Sequence, residues 1–390
     1  MNPYRKTAVT GLICIALMVI AYFSHKFPFF EYAKESYTTT RDQLFTLDWL
    51  LHLLPLILIL ALSAFGILLC IAARKRMLRK NKAARRFAWA RSHSKGQDLP
   101  GQKLSAFMVV RWLSMILFSF FMIFGGILLG VRYEKAAIPV FSCPVNMNQL
   151  TESSCYYLSH LSDLFSLPAG DIILFIVSTI GFAVILGRVI CGFLCPMGLV
   201  QDLMDVIRRR TKTEGIIMND RMYKALVPIR WTLVFLMMGL TFAGGNFCNF
   251  CPAVTLSPVL AGLEVSLFAS GFVMIFVLIG SFFKRRFFCT ICPLGYLIGL
   301  CHKISPFRIK KDCTACTECG ACYDACPMGI KAIYKEREKA DVTDITCIMC
   351  GECVRKCPED RALCVTCFGK PVYTASREKV VANYKKEKNL

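Results

Sequence analysis

Long apolar runs separated by shorter polar stretches fill the first three quarters of the chain. A helix needs about 20 apolar residues to cross a ~30 Å hydrocarbon core. Six runs are of that order, at roughly 7–23, 49–73, 107–131, 171–191, 225–245 and 267–283. The pattern predicts an α-helical polytopic membrane protein with about six transmembrane helices. Arg5 and Lys6 precede the first run as they would in a signal peptide, but no small-x-small cleavage site follows Tyr22-Phe23-Ser24-His25-Lys26. That run therefore reads as a retained helix.

The polar stretches set the orientation, because short loops rich in Lys and Arg stay in the cytoplasm. The loop 74–106 carries eleven basic residues and 208–224 carries six, whereas 246–266 carries none. The stretch from Lys284 onward carries twenty. Both termini are then expected on the cytoplasmic side. The basic run 74–86 reads as a solvated stop-transfer flank, with contact to anionic headgroups as the alternative.

Near residue 305 the pattern changes: apolar runs stop and charges appear. The expected organisation is two N-terminal helices with a basic loop (1–106), a four-helix core (107–304), a small soluble domain on the cytoplasmic side (305–370) and a tail (371–390). Composition agrees, with 55% hydrophobic residues among 390 and a mean hydropathy of +0.51. A soluble enzyme with that surface is not expected. The formal charge of +21 then reads as topology signal rather than nucleic-acid binding, and no basic and aromatic stripe argues otherwise.

The 22 cysteines carry the candidate chemistry. Cys316-x-x-Cys319-x-x-Cys322-x-x-x-Cys326-Pro327 is followed by Cys347-x-x-Cys350-x-x-Cys353-x-x-x-Cys357-Pro358. In such paired runs three close thiolates and the fourth cysteine of the other run share one 4Fe–4S cluster. The first cluster is expected on Cys316, Cys319, Cys322 and Cys357, the second on Cys347, Cys350, Cys353 and Cys326. Paired zinc sites are the alternative, but they need neither the third cysteine nor the Cys-Pro ending. Cys313, Cys364 and Cys367 fall outside this register and read as packed free thiols, with an extra or exchangeable ligand as the other reading. The spacing resembles that of bacterial two-cluster ferredoxins over roughly 308–370, which implies a small α+β ferredoxin-like fold for the domain at 305–370.

Two further pairs, Cys191-x-x-x-Cys195-Pro196 and Cys289-x-x-Cys292-Pro293, end the fourth and sixth runs. Proline breaks the helix there and lets thiolates point inward from irregular backbone, which is tolerable only inside protein. Their four cysteines are candidate ligands of a further cluster near the cytoplasmic face. Cys248, Cys251, Cys143 and Cys155 lie on the expected outer side, where they read either as a second such site or as the disulfides Cys143–Cys155 and Cys248–Cys251.

The phrases GRVICGFLCPMGLVQDL and RRFFCTICPLGYLIGL, followed by the two-cluster pattern, resemble the NapH/NosR/CcoG-type membrane polyferredoxins over roughly 107–370. The resemblance implies an inner-membrane iron–sulfur electron-transfer protein. Its implied partners are a periplasmic reductase or flavin carrier on one side and a cytoplasmic ferredoxin or quinol donor on the other. No covalent-flavin acceptor sequence is visible, and 1–106 matches no part of the pattern. Two rival functions are a thiol-reductant exporter cycling Cys248 and Cys251, and a metal-reducing assembly factor for a partner metalloenzyme.

Weaker signals have plainer readings. Among five histidines only His52 lies within a run, where it reads as an interfacial polar group rather than a haem ligand. No Cys-x-x-Cys-His is present, which excludes attached c-type haem. Phe118, Phe120, Phe121 and Phe124 read as lipid-facing or core packing. Arg111, Arg188 and Arg230 are expected to snorkel to the interface, Arg188 having the further reading that it offsets cluster charge. Neither a phosphate-binding glycine loop nor a Ser-His-Asp set appears.

Overall fold

The computed structural model describes residue 46 and residues 53–80, 106–131, 133–139, 146, 148–153, 168–211, 213, 215–216, 220–242, 250–262 and 268–376. The expected first span, together with His52, Cys143, Cys155 and Cys248, lies outside them. The other expected spans fall on helices. These are α1 (Leu54–Lys80), α2 (Ala106–Leu129), α3 (Ala169–Leu186), α6 (Asp220–Phe242) and α8 (Phe268–Phe283). Among the described residues three stretches are long and apolar enough to cross a membrane: Leu54–Arg74, Ala106–Leu129 and Ala169–Leu186.

Burial along α2 follows the helical period. Met108, Arg111, Met115, Ser119 and Met122 point inward, while Val109, Val110, Leu113 and Ile116 stay exposed. Helix α3 is apolar all round, with Ile173, Val177, Ile180 and Ile185 exposed, as suits a helix facing lipid. Phe118, Phe120 and Phe121 are exposed and Phe124 is buried.

The cysteine-proline steps organise the polar ends. The run expected at 171–191 divides, with α3 ending at Leu186 and the short α4 (Val189–Phe193) beginning after Arg188. Proline starts a helix at three places instead of only breaking one. Helices α5 (Pro196–Arg210), α7 (Pro252–Leu260) and α9 (Pro293–Cys301) each have the preceding cysteine as N-cap and proline at the first turn. Proline suits that position, since its ring presets φ and the helix needs no N–H there.

Helix α7 is a departure from a plain outer loop. Residues Pro252 through Val259 are all buried, and the helix packs against α8. The Asn146 amide holds it by donating to Ser257 Oγ at 2.9 Å, and the Asn148 amide donates to the Ala261 carbonyl at 3.2 Å. Nearby, β1 (Tyr133–Ile138) and β2 (Thr151–Ser153) pair in parallel.

The C-terminal unit is a three-stranded antiparallel sheet in the order β3 (Phe307–Lys311), β4 (Leu363–Cys367), β5 (Lys370–Thr374). Ile309 sits opposite Val365, and both are buried. The short helices α10 (Ala321–Asp324), α11 (Ala332–Lys335) and α12 (Glu352–Lys356) lie between β3 and β4 in sequence.

This unit is seated on the polar ends of the membrane helices through glycines that admit backbone. A Cβ on Gly192 would lie 2.2 Å from the Ile348 carbonyl oxygen, and one on Gly299 would lie 2.3 Å from that of Ile345. Phe107 at the start of α2 stacks on Tyr373 of β5, with ring centroids 4.7 Å apart.

Candidate functional site

Three cavities each gather four cysteines. One of about 350 Å³ is lined by Cys316, Cys319, Cys322 and Cys357. A second of about 270 Å³ is lined by Cys326, Cys347, Cys350 and Cys353. The third, about 380 Å³, is lined by Cys191, Cys195, Cys289 and Cys292. The fourth cysteine of each C-terminal run thus turns toward the other run's cavity. Cys191 and Cys289 pack in the same apolar core as Cys347, Cys350 and Cys353.

Local backbone explains the convergence. Glu318 and Gly320 flank Cys319 with positive φ, and Met349 and Gly351 flank Cys350 in the same way. Two left-handed residues around the middle cysteine coil each loop, so that sulfurs three apart face one side. Gly320 and Gly351 then cap α10 and α12, on which Cys322 and Cys353 ride. Cys319 is exposed and Cys353 buried, so the first set reaches the surface and the second lies inside.

In the third set, Cys292 Sγ accepts the Gly295 N–H at 3.3 Å at the start of α9. At the start of α5 the Gly198 N–H goes instead to the Cys195 carbonyl, at 3.0 Å. Helix N-termini favour negative charge, which suits thiolates. Gln201 bridges the two motifs. Its Nε2 donates to Cys289 Sγ at 3.3 Å, while its Oε1 accepts the Phe288 N–H at 2.8 Å. Arg286, fully buried and at φ +58°, donates to Cys289 Sγ at 3.7 Å and to the Cys191 carbonyl at 2.8 Å.

Asp202 balances that arginine. It accepts from Arg286 Nη2 at 2.5 Å and Nε at 2.9 Å, from Arg285 Nε at 3.3 Å, and from Arg111 Nη2. Burial pushes the Asp202 carboxyl up, but Arg286, Arg111 and Arg285 outweigh it and hold it well below the ordinary carboxylate range. Arg285 also bonds Glu352 at 3.0 Å, one residue from Cys353, so a buried ion network joins the second and third sites. Lys284 Nζ donates to the Pro327 carbonyl at 2.9 Å.

The snorkelling expected of three arginines does not occur. Arg111, Arg188 and Arg230 are 0%, 2% and 2% exposed. Each turns inward because a polar site waits there. Arg111 binds Asp202, Arg188 lines the third cavity, and Arg230 donates to the Thr290 carbonyl at 2.7 Å beneath the Tyr223 ring. Sequence spacing singled out neither Gln201, Asp202 nor Arg286. The only available signal was their place among the residues around the Cys-Pro steps.

Of the four outer-side cysteines, only Cys251 is among the described residues. It is buried in the core that also holds Cys195 and Cys292. Cys313 and Cys364 stand away from the three cavities, Cys313 Sγ lying 3.9 Å from the Glu336 carbonyl and Cys364 in strand β4 opposite Lys310.

The donor sets suit iron–sulfur clusters. Burial pushes the Cys195 thiol up to about 12 and the Cys322 and Cys326 thiols up to about 11, so these sulfurs ionise only against bound metal. Among the described residues no group of three or more His, Cys, Asp or Glu is arranged to hold a metal ion. N–H groups reach the sulfurs, as Ile330 does Cys326 at 3.5 Å and Arg337 does Cys316 at 3.8 Å.

Comparison with known proteins agrees. The 4Fe-4S binding domain family matches residues 169–214 and 266–312, and the 4Fe-4S dicluster domain family matches 308–358. An uncharacterized protein of Methanocaldococcus jannaschii is 33% identical over 195 residues, covering 49% of this chain and 77% of its own length. The ferredoxin-type protein NapH of Haemophilus influenzae is 27% identical over 211 residues, 51% of this chain and 68% of that protein. NapH of Escherichia coli is 26% identical over 195 residues, 47% and 64% respectively. No solved structure matches the chain.

Proposed function

The chain belongs to the NapH-like 4Fe–4S polyferredoxins, and from that premise we propose that it is a membrane protein that relays electrons through three cysteine-held clusters between a cytoplasmic or quinol donor and an acceptor on the periplasmic side. Each cluster, when bound, stores and passes one electron at a time.

The chain's own residues give this relay its order. Cys316, Cys319, Cys322 and Cys357 would hold the cluster that meets a soluble partner, since Cys319 is exposed. Cys326, Cys347, Cys350 and Cys353 would hold the middle one. Cys191, Cys195, Cys289 and Cys292 would hold the third, at the polar end of the membrane helices, with Gln201 and Arg286 donating to Cys289. Cys251, buried in the same large apolar core as Cys195 and Cys292, would carry the path onward with Cys143, Cys155 and Cys248. The reading further takes six spans, both termini and the C-terminal unit cytoplasmic, in a bacterial inner membrane. By likeness to NapH the partners are redox proteins.

The observation that carries the proposal is the run of three four-cysteine cavities whose middle set packs in one core with the third. Reconstitution into vesicles tests it. Reduced ferredoxin is added outside and an impermeant acceptor is trapped inside. The full chain should reduce the trapped acceptor, and a Cys191→Ser/Cys195→Ser variant should not. Equal reduction by both would overturn the proposed path.

A further inference from the structure

Arg188 is a buried cation whose counter-charge is missing. It is 2% exposed, caps α4 and lines the third cavity. Its Nη2 donates to the Cys289 carbonyl at 3.2 Å and its Nη1 to the Ile345 carbonyl at 3.4 Å, while its Nε has no hydrogen-bond partner. The site is built around it. A Cβ added at Gly295 would lie 3.1 Å from Arg188 Nη2, and one at Gly299 would lie 3.2 Å from its Cδ.

Three neighbouring arginines each have a carboxylate partner. Arg111, Arg285 and Arg286 share Asp202, and Arg285 also reaches Asp205 and Glu352. No carboxylate among the described residues pairs with Arg188. Two other buried cations do not line the cavity: Lys284 donates to the Pro327 carbonyl, and Arg230 donates to the Thr290 carbonyl beneath the Tyr223 ring. An unpaired guanidinium shut away from water is strongly disfavoured. The missing negative charge therefore belongs to whatever fills the cavity.

We propose that Arg188 is the counter-charge of an anionic cluster on Cys191, Cys195, Cys289 and Cys292, and that it raises the reduction potential of that cluster. The inference rests on the reading that these four cysteines hold a cluster. Four thiolates around a 4Fe–4S core leave a net negative charge, and each added electron increases it. A fixed cation in the same water-free cavity favours the more negative, reduced form. Arg286, neutralised by Asp202, acts on Cys289 mainly as a hydrogen-bond donor.

The test is a potentiometric EPR titration of anaerobically purified full-length protein, with iron counted on the same samples. Wild type should hold about 12 Fe, since three clusters carry four each. In Arg188→Gln, with iron retained, the midpoint of the third centre should move to lower potential while the other two stay in place. Arg188→Lys, which keeps the charge, should remain closer to wild type. An unmoved midpoint in an iron-replete Arg188→Gln protein overturns the proposal. If Arg188→Gln loses iron, Arg188→Lys decides. Retained iron there supports a role for charge; iron lost from both variants assigns Arg188 to its carbonyl hydrogen bonds and overturns the proposal. Wild type holding only about 8 Fe would instead refute the third cluster itself, a result distinct from any of these.

Discussion

Asp202→Asn removes the one carboxylate that three arginines share. Asp202 is 1% exposed, and Arg111 and Arg286 are both fully buried. Asparagine fills nearly the same space and still accepts a hydrogen bond, so the change isolates charge. Breaking a buried ion pair from one side costs about 3–5 kcal/mol, because the partner is left charged without compensation. Here two buried guanidiniums are stranded together, which places the expected loss at the upper end, about 5 kcal/mol. The exposed pair Arg308–Asp341, at 3.7 Å, is the control. Asp341→Asn should cost less than about 1 kcal/mol. Denaturant unfolding in detergent micelles, followed by tryptophan fluorescence, measures both. An Asp202→Asn protein within about 1 kcal/mol of wild type would refute the reasoning, since the network would then not depend on the shared charge.

Other consequences are as specific. Burial pushes the Glu352 carboxyl up, but Arg285 and Arg355 outweigh it and bring it down to about 2 from its ordinary 4.5. A depressed carboxylate stabilises the fold above its unfolded-state value and loses that contribution as pH falls through the folded one. The stability gap between wild type and Glu352→Gln should thus be constant above about pH 4.5 and close between about 4.5 and 2. Gly192→Val should loosen the seat of the C-terminal unit, because a Cβ there meets the Ile348 carbonyl oxygen at 2.2 Å; faster proteolytic release of that unit than from wild type checks it. Cys357→Ala should expose Cys316, Cys319 and Cys322 to alkylation while Cys347, Cys350 and Cys353 stay protected. The reverse pattern would show that each run keeps its own fourth cysteine.

What the sequence reveals depends on the range of the interaction concerned. Apolar runs announce helices because a lipid-facing helix such as α3 must be apolar along most of its length, and no distant residue alters that requirement. Cysteine spacing is equally local. Three sulfurs on one coiled loop are placed by the residues between them, with left-handed positions at Glu318, Gly320, Met349 and Gly351. The arginines were misread because burial of Arg111 or Arg230 depends on partners far along the chain, Asp202 being 91 residues from Arg111. Helix α7 was hidden for a similar reason. Its nine residues are too few to register as a span, and its burial depends on Asn146 and Asn148 in a loop more than 100 positions earlier. Proline is legible as a break after Cys195 and Cys292, but its role as a helix start shows only once the following turn is seen.

Iron and acid-labile sulfide per chain, on anaerobically purified wild type beside the Cys191→Ser/Cys195→Ser variant, test the central claim most directly. About 12 Fe and 12 sulfides in wild type, falling to about 8 of each in the variant, are the values a three-cluster relay predicts. About 8 in both would contradict it, leaving the membrane cysteines without a cluster and the relay confined to the C-terminal unit.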